Sequence, residues 1–316
     1  RTIRITDLLQ IRQPSSLTLS PDGRLAAFTL KDVVEDGQAP GGYRYDTHLW
    51  VVPIDGSSAP RALTSGPRSV SQPVWHPSGE VLTFVRQPEN GGGPQVHALA
   101  LDGGEAVALT DHPGGASSPR WSPDGTRLSY ASSVGHAELL ADSAHAEGPA
   151  WRQERPGRDP AAILAGAEPD PDGSIEQIRA WLDRNEREGE PRVVDRLNLQ
   201  GETDLAPEIR YSHLHVLQVA ENREQAESLE WLRGWKAGRG VPLTQGYFSF
   251  AAGGWSADGA SLFVTAALDS ARHPDRVDNA DVYRLDLPDD GAPESPPHPV
   301  LVLASERYAY FAPLPS

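Results

Sequence analysis

Ser256 lies in the stretch that comes nearest to the nucleophile motif of a serine hydrolase, "GGWSADG" at residues 253–259. That motif, Gly-x-Ser-x-Gly, sets the serine on a strained strand-to-helix turn, where a neighbouring histidine takes its proton. Here Gly254 precedes Ser256 by two residues, but Asp258 stands where the second glycine would be. A Ser-x-Asp-Gly phrase is typical of a tight turn between two strands. We therefore predict that Ser256 is a turn residue and that this chain holds no catalytic residues.

Two histidines have a spacing that can bind a metal ion. His213 and His215 alternate along a strand-like stretch, which places both on one face. However, "RYSHLHV" (210–216) mirrors "RYDTHLWV" (44–51), so His213 corresponds to His48 in a repeated strand. The pattern therefore favours a structural role for both histidines.

Other candidate sites for a metal or a phosphate have the wrong spacing. In "EPDPDGS" (168–174), Gly173 comes too early for a calcium loop. The glycine-rich "ENGGGP" (89–94) lacks the following helix that a phosphate cradle needs. The chain has no cysteine, which excludes thiolate ligands and cysteine nucleophiles. We therefore expect no cofactor and no metal.

The phrase around Ser256 is one of four similar phrases, and they determine the expected fold. These are "LTLSPDGRLAAFTL" (17–30), "PVWHPSGEVLTFVR" (73–86), "PRWSPDGTRLSYAS" (119–132) and "GGWSADGASLFVTA" (253–266). A third strand-like run follows each phrase, and three of the units close with a similar tail. This order is that of a four-stranded antiparallel blade, so the sequence predicts an all-β fold, a β-propeller. Trp75, Trp121 and Trp255 precede the turn at one equivalent place and are predicted to pack between blades.

The spacing of the turns predicts an insertion. Positions 20, 76, 122 and 256 are 56, 46 and 134 residues apart, and the last gap is too long for one plain blade. We therefore expect a helical insertion in the third blade, at about 135–192. Two further blades hidden in this gap are the competing interpretation.

Two helices are predicted within the long gap. Ser174 and Gln177 form a capping-box pattern that begins one of them, which should end at Gly189. Its apolar residues on one face are Ile175, Ile178 and Leu182. The second helical patch covers residues 222–238.

The chain is expected to divide into a short leading segment and a run of blades. Residues 1–16 should form a short N-terminal helix and a leading strand, and residues 17–316 an incomplete propeller. The blades should begin near 17, 73, 119 and 253. The final "YFAPLPS" aligns Ser316 with Ser122, which predicts the start of a fifth blade and a longer parent protein.

Charge and hydropathy exclude some classes of partner. The 44 acidic and 28 basic residues give a formal charge of −16, which opposes binding to nucleic acid or to an anionic membrane surface. No apolar run approaches the roughly 20 residues that span a bilayer. The absence of cysteine fits a cytoplasmic protein.

Two segments resemble a known family. "ITDLLQIRQPSSLTLSPDGRLAAFTL" (5–30) resembles the N-terminal start of the acylaminoacyl-peptidase branch of the prolyl oligopeptidase family. "PRVVDRLNLQGE" (191–202), followed by "RYSHLHVLQV" (210–219), is similar to an extended unit of that branch. The resemblance covers most of the chain outside residues 135–190.

The resemblance implies a parent protein that is a serine peptidase. In this family the propeller caps a C-terminal α/β-hydrolase domain, which carries the Ser, Asp and His triad, and admits only short peptides. No triad residue maps onto this chain. The implied partners are short peptides, possibly N-acylated, the hydrolase domain of the same polypeptide and further copies of the protein. The alternative is a non-enzymatic binding propeller of the periplasmic scaffold type, and a polysaccharide-acting or lyase propeller is a third interpretation.

Two inner-strand residues are candidates for contact with a substrate. Gln72 and Arg120 lie beside the tryptophan positions, on the strands predicted to surround the central channel. A cation at Arg120 could steer the C-terminal carboxylate of a peptide in an otherwise acidic protein. The alternative is that Arg120 pairs with an acidic residue of the neighbouring blade.

Overall fold

The larger of two compact units in the chain contains nearly all of the strands. The computed structural model describes residues 5–37, 42–88, 91–152, 167–188, 209–269, 272–274, 279–288 and 293–305, and Tyr310. The larger unit comprises residues 1–134, 211–267 and 279–316, and the smaller one residues 135–210 and 268–278. A 3-10 helix, Ile5–Gln10, precedes the first strand, where the sequence predicts a short helix.

Four sheets of four strands follow one another along the chain, each with its strands in chain order. The first has strands β1 (Gln13–Leu19), β2 (Leu25–Glu35), β3 (Tyr43–Pro53) and β4 (Arg61–Ala62). The second has β5 (Val70–Trp75), β6 (Val81–Arg86), β7 (Gln95–Ala100) and β8 (Val107–Ala108). The third has β9 (Ser117–Trp121), β10 (Arg127–Gly135), β11 (Arg210–Gln218) and β12 (Val241–Pro242). The fourth has β13 (Phe250–Trp255), β14 (Ser261–Ala266), β15 (Asp281–Asp286) and β16 (Val300–Leu303).

The sheets are arranged as propeller blades. β5 contacts both β1 and β9, and β9 also contacts β13, so the first strands of successive sheets lie side by side. This confirms the predicted all-β fold of four-stranded antiparallel blades with a helical insertion in the third. β11 and β12 complete one sheet with β9 and β10, and the described part of the long gap adds no further sheet. The predicted fifth blade lies outside the described residues at 311–316.

The Ser-Pro-Asp-Gly turn is held by its own side chains. In the third sheet, Ser122 Oγ donates to Asp124 Oδ1 at 2.6 Å and accepts the N–H of Arg127 at 2.9 Å. Asp124 Oδ1 also accepts the N–H of Thr126 at 3.1 Å. Gly125 N–H donates to Ser122 O, and its φ of 75° lies where glycine is favoured. The prediction of a tight turn between strands is confirmed.

His76 replaces the turn serine in the second sheet and reaches the third. Its Nδ1 accepts the N–H of Ser78 at 3.1 Å, and its Nε2 lies 3.1 Å from Gly125 O. Since Nδ1 is an acceptor, Nε2 carries the proton and donates. The ring is fully buried and meets Trp121 edge-on with centroids 4.6 Å apart. The turns of neighbouring sheets are therefore in direct contact at this point.

Each turn-preceding tryptophan bonds to the sheet before its own. The indole N–H of Trp75 donates to Thr18 O at 3.3 Å, and that of Trp121 to Thr83 Oγ1 at 3.2 Å. The indole of Trp255 donates to Arg120 O at 3.2 Å. The predicted packing of these tryptophans between blades is confirmed.

Apolar cores fill the spaces between sheets. Between the first and second sheets, the fully buried residues include Leu49, Leu82 and Phe84. Between the second and third, Leu128 and Tyr130 are fully buried. Each such side chain contributes about 1.5–3 kcal/mol by leaving water. Stacking of sheets is therefore the main source of stability in the larger unit.

The smaller unit holds the helices of the insertion. These are α1 (His136–Ala141) and α2 (Ile175–Glu188), with a 3-10 turn at Ala150–Arg152. The capping box predicted for α2 is confirmed, because Ser174 Oγ accepts the N–H of Gln177 and Gln177 Oε1 accepts that of Ser174. The predicted apolar face is largely exposed, with Ile175 at 64% and Leu182 at 36%. Gly189 lies outside the described residues.

A second pair of short helices joins β11 to β12, within the predicted patch at 222–238. They are α3 (Arg223–Ser228) and α4 (Glu230–Arg233). Asn222 Oδ1 caps α3 by accepting the N–H of Gln225 at 3.0 Å. In the part of the chain that the structure describes, no helix is both long and apolar enough to cross a bilayer.

Two matched glycine substitutions test the contact between turns. Gly23→Ala places a Cβ in open space at a φ of 71°, and we expect a loss of about 1 kcal/mol in the free energy of unfolding. Gly125→Ala, at a φ of 75°, places its Cβ 2.5 Å from His76 Nε2 and displaces that ring. We expect an additional loss of about 2 kcal/mol or more. Urea titration measures both, and equal losses would contradict the importance of the His76 contact.

Candidate functional site

The first strands of three sheets share one backbone irregularity. Ser16, Gln72 and Ser118 each have a φ of 53°, in the left-handed region. The pairing register with the second strand shifts around each of them, for example between Ser71 and Val74. Such a bulge bends the strand and redirects its side chains. A left-handed non-glycine residue costs on the order of 1–3 kcal/mol, and functional sites are where such residues concentrate.

Gln72, one of the two predicted channel residues, connects two of these bulges. Its side-chain oxygen accepts the backbone N–H of Ser118 at 2.6 Å. Ser118 holds the equivalent left-handed position in the next sheet. Gln72 is exposed, so the bond competes with water and contributes about 1 kcal/mol. The structure thus gives Gln72 a positioning contact between the inner strands of the second and third sheets.

Arg120, the other predicted residue, lies on β9 with an exposed side chain. Its backbone oxygen accepts the indole N–H of Trp255 and, at 3.3 Å, the hydroxyl of Ser129. Among the described residues, no carboxylate pairs with its guanidinium. The backbone of Arg120 is therefore anchored, while its charge faces solvent.

The inner strands present small and polar groups to solvent. Across β5, β9 and β13, the exposed residues are Ser71, Gln72, Ser118, Arg120 and Ala251. Arg120 carries the charge of this set. Sequence analysis did not single out Ser118, because a left-handed serine has no signature in the sequence. A polar surface with one cation can bind the backbone or a carboxylate of a peptide through hydrogen bonds.

Ser256 is a turn residue, as predicted. Its Oγ donates to Asp258 Oδ1 at 2.6 Å and accepts the N–H of Ser261 at 2.9 Å. The aspartate accepts from the serine, and no histidine of the described residues bonds to either side chain, so this arrangement does not activate the hydroxyl. Ser20 and Ser122 have the same bonds in their own turns.

Two serines lie within hydrogen-bond distance of a histidine, and sequence analysis did not find either pair: Ser78 with His76 in the turn of the second sheet, and Ser132 with His112. Ser132 Oγ lies 2.6 Å from His112 Nδ1, which also accepts the N–H of Gly114 at 3.2 Å. Ser132 therefore donates to the ring. It is only 5% exposed, so a substrate carbonyl cannot reach its oxygen. The pair therefore contributes to the packing beside β10, and Ser132 does not act as a nucleophile with His112 as its base.

His213 and His215 both make hydrogen-bond or ring contacts within the larger unit. His213 Nδ1 donates to Thr244 O at 2.9 Å. The ring of His215 stacks on Tyr130 with centroids 5.3 Å apart and meets His112 at 4.6 Å. Within the described residues, no three His, Asp or Glu side chains are grouped so that they could hold a metal ion.

The surroundings of His215 disfavour its charged form. Burial first, and then the neighbouring His112, lower the pKa of His215 from 6.5 to about 4. Burial also lowers the pKa of His76. Both rings are thus neutral where they hold the third sheet against its neighbours.

Comparison with known proteins shows likeness to other propellers at low identity. No family model matches the sequence. No curated protein matches it. A puromycin-hydrolyzing peptidase of Mycobacterium tuberculosis is similar at 13% identity and a TM-score of 0.44, over 87% of this chain and 30% of that one. Prolyl oligopeptidase B from Galerina marginata is similar at 11% and 0.43, over 94% and 32%.

A further similar structure is TolB from Acinetobacter baumannii, at 14% identity and a TM-score of 0.37, over 87% of this chain and 42% of that one. The chain therefore spans less than half the length of each of these three proteins. Likeness at this level assigns the chain to no family.

The pKa of His215 leads to a prediction of acid sensitivity. Because the folded pKa is about 4 and the unfolded value about 6.5, the unfolded state binds the proton first as the pH falls. The contribution is complete above pH 6.5 and is lost progressively down to pH 4. We expect His215→Phe to reduce the loss of unfolding free energy between pH 7 and 5 by about 1–2 kcal/mol.

The matched control is Tyr130→Phe, which removes the hydroxyl that donates to Arg239 O but leaves His215 in place. It should lower stability by the same amount at both pH values. Urea titrations at pH 7 and 5 measure the unfolding free energy of both variants. If His215→Phe lost as much unfolding free energy between these pH values as the wild type does, the His215 ring would not titrate on unfolding.

Proposed function

We propose that this chain is the non-catalytic, substrate-gating propeller portion of a serine oligopeptidase that hydrolyses short, N-acylated peptides. The observation that carries the proposal is the inner surface of β5, β9 and β13, which is polar and bears one exposed cation, Arg120, that pairs with no carboxylate of the described residues. The resemblance of residues 5–30 and 191–219 to the acylaminoacyl-peptidase branch supports the choice of reaction. In this proposal the hydrolase domain is part of the same polypeptide. The complete protein is cytoplasmic and forms a homo-oligomer.

The division of labour follows from the turn serines. Ser20, Ser122 and Ser256 each donate their hydroxyl to a turn aspartate. Two described serines lie beside a histidine: Ser132 is buried, and Ser78 is held in the turn of the second sheet with His76 Nδ1 at 2.9 Å. Chemistry would therefore come from the hydrolase domain. The propeller would contribute selection by size and by charge.

Selection would depend on how rigidly the inner strands are held. The left-handed bulges and the bond from Gln72 to Ser118 define where the inner side chains lie. In this proposal, inner strands held in this way admit an extended peptide and exclude a folded domain. A cation in a chain of net charge −16 would draw a C-terminal carboxylate to one place on that surface.

Catalysis by this chain is testable directly. We expect residues 1–316 to hydrolyse N-acetyl-alanine p-nitroanilide no faster than buffer, and Ser256→Ala to behave identically. The complete parent polypeptide should react with a fluorophosphonate probe at one serine outside this chain. A parent that neither reacts with the probe nor cleaves the substrate would support the binding-propeller alternative.

The role of Arg120 has its own test. In the parent enzyme, Arg120→Ala should lower kcat/KM about tenfold for a peptide with a free C-terminus, because a charge-assisted hydrogen bond is lost. The same peptide with an amidated C-terminus should be almost unaffected. Equal effects on both peptides would mean that Arg120 plays no part in carboxylate recognition.

A further inference from the structure

The last strand of the fourth sheet, β16, presents an apolar edge to solvent. Among the described residues, no further strand pairs with its outer edge. All four of its residues are exposed: Val300 at 42%, Leu301 at 55%, Val302 at 50% and Leu303 at 47%. Successive side chains of a strand point to opposite faces, so apolar groups are exposed on both faces of this edge. An exposed apolar edge is a template for pairing with another strand.

The outermost strands of the other three sheets are protected against such pairing. Each is only two residues long: Arg61–Ala62, Val107–Ala108 and Val241–Pro242. Arg61 adds a charge to the first of them, and Pro242 lacks a backbone donor in the third. In contrast, β16 has four residues and contains neither a charge nor a proline. The described part of the chain therefore has one outermost edge that is open to a second strand.

Both ends of β16 are held in place. Pro299, which has a fixed φ, directly precedes the strand. At the other end, Ser305 O accepts a side-chain N–H of Asn279 at 2.8 Å, and Ser305 N–H donates to Asp281 Oδ1 at 3.4 Å. The strand is also paired along its inner edge with β15. Because its backbone is already ordered, little conformational entropy is lost when a second strand binds.

The surroundings of this edge carry little net charge. Residues 295–305 contain no Asp, Glu, Lys or Arg, in a chain whose formal charge is −16. On the neighbouring strand β15, Arg284 Nε lies 2.7 Å from Asp286 Oδ1, so these two charges offset each other. Copies of an acidic chain repel each other where acidic surfaces meet, and this edge avoids that repulsion. It therefore suits a partner strand that is itself apolar and uncharged.

We propose that the edge of β16 pairs in antiparallel orientation with the same edge of a second copy of this chain. A two-fold axis relates the copies and places one central residue, Leu301 or Val302, opposite itself. Backbone groups bond across the contact, and the exposed valine and leucine side chains of the two copies cover one another. Since the described part of each chain has one such edge, association stops at a dimer. This dimer does not depend on the peptidase activity proposed above.

The strength of the dimer follows from the size of the contact. Stable interfaces bury roughly 800 Å² on each partner, and a strand of four residues covers less than that. We therefore expect a Kd of roughly 10–100 μM, at the weak end of specific association. Sedimentation equilibrium of residues 1–316 at concentrations on either side of this range measures it. A chain that stays monomeric throughout would overturn the proposal.

A charge placed on the edge tests its part in the contact. Leu301→Lys should raise the Kd about tenfold or more, because a lysine on an edge strand opposes pairing. The matched control is Ile54→Lys, which changes an apolar residue of similar exposure, 51%, in the first sheet and alters the net charge equally. It should associate as the wild type does. Self-association that Leu301→Lys leaves unchanged would place the contact on another surface and overturn the proposal.

Engineered cysteines locate the contact, because the chain has none of its own. Residues opposed across antiparallel strands have Cα atoms about 4.5–5.5 Å apart, within reach of a disulfide. Under mild oxidation, Leu301→Cys or Val302→Cys should give a covalent dimer on a non-reducing gel, and Ile54→Cys should not. These uncharged variants also cover the case in which Leu301→Lys does not fold. If neither edge variant gave more covalent dimer than Ile54→Cys, the proposal would be overturned.

Discussion

The contact of each sheet with the one before it is the constraint on which the larger unit depends. A single four-stranded sheet of this size has an apolar face that it cannot bury by itself. Here the tryptophan before the turn of the second, third and fourth sheets covers part of that face and places its indole N–H on the preceding sheet, as Trp121 does on Thr83. The indole ring of each tryptophan thus provides apolar packing, and its N–H provides a directional hydrogen bond. Together these two contacts define the spacing and the order of the sheets.

The turns strengthen this arrangement at the same end of the sheets. Ser122 and Asp124 hold the turn of the third sheet internally, so its Gly125 carbonyl is presented at a defined place. His76 of the second sheet uses that carbonyl as an acceptor. Burial lowers the pKa of His76, and protonation at its Nδ1 would break the bond that this nitrogen accepts from Ser78 N–H within the turn of the second sheet. Stability and pH response are consequently connected through the interfaces between sheets.

The apolar side chains pack between the sheets, and the inner strands expose mainly polar side chains. The left-handed residues Gln72 and Ser118 cost backbone energy that the neighbouring sheets offset. The arginines divide into two kinds: Arg44 is neutralised by two aspartates, whereas Arg86 and Arg120 have no described carboxylate beside them. In an acidic protein, cations that are left without a partner are where an anionic ligand gains most. The anion contact that we propose at Arg120 therefore lies on the inner strands.

The sequence by itself determined the blade as a unit. The Ser-Pro-Asp-Gly turn, the tryptophan before it and the strand-like runs are local patterns, and local hydrogen bonds such as Ser122 to Asp124 are enough to produce them. The capping box at Ser174 and Gln177 could be predicted for the same reason. The sequence also predicted that Ser256 belongs to a turn, because its neighbours Asp258 and Gly259 are typical turn residues. The apolar face of α2 was less predictable, since its burial depends on what packs against it.

Only the tertiary structure decided which side chains meet. The bond from Gln72 to Ser118, the pair of Ser132 and His112, and the unsatisfied Nε of Arg86 join or isolate residues through contacts between sheets. Such contacts depend on how neighbouring sheets are placed, and a period-two pattern along one strand does not contain that information. The sequence thus specifies each blade through short-range bonding, whereas the candidate sites exist only because stacked blades bring distant strands within a few ångströms of one another.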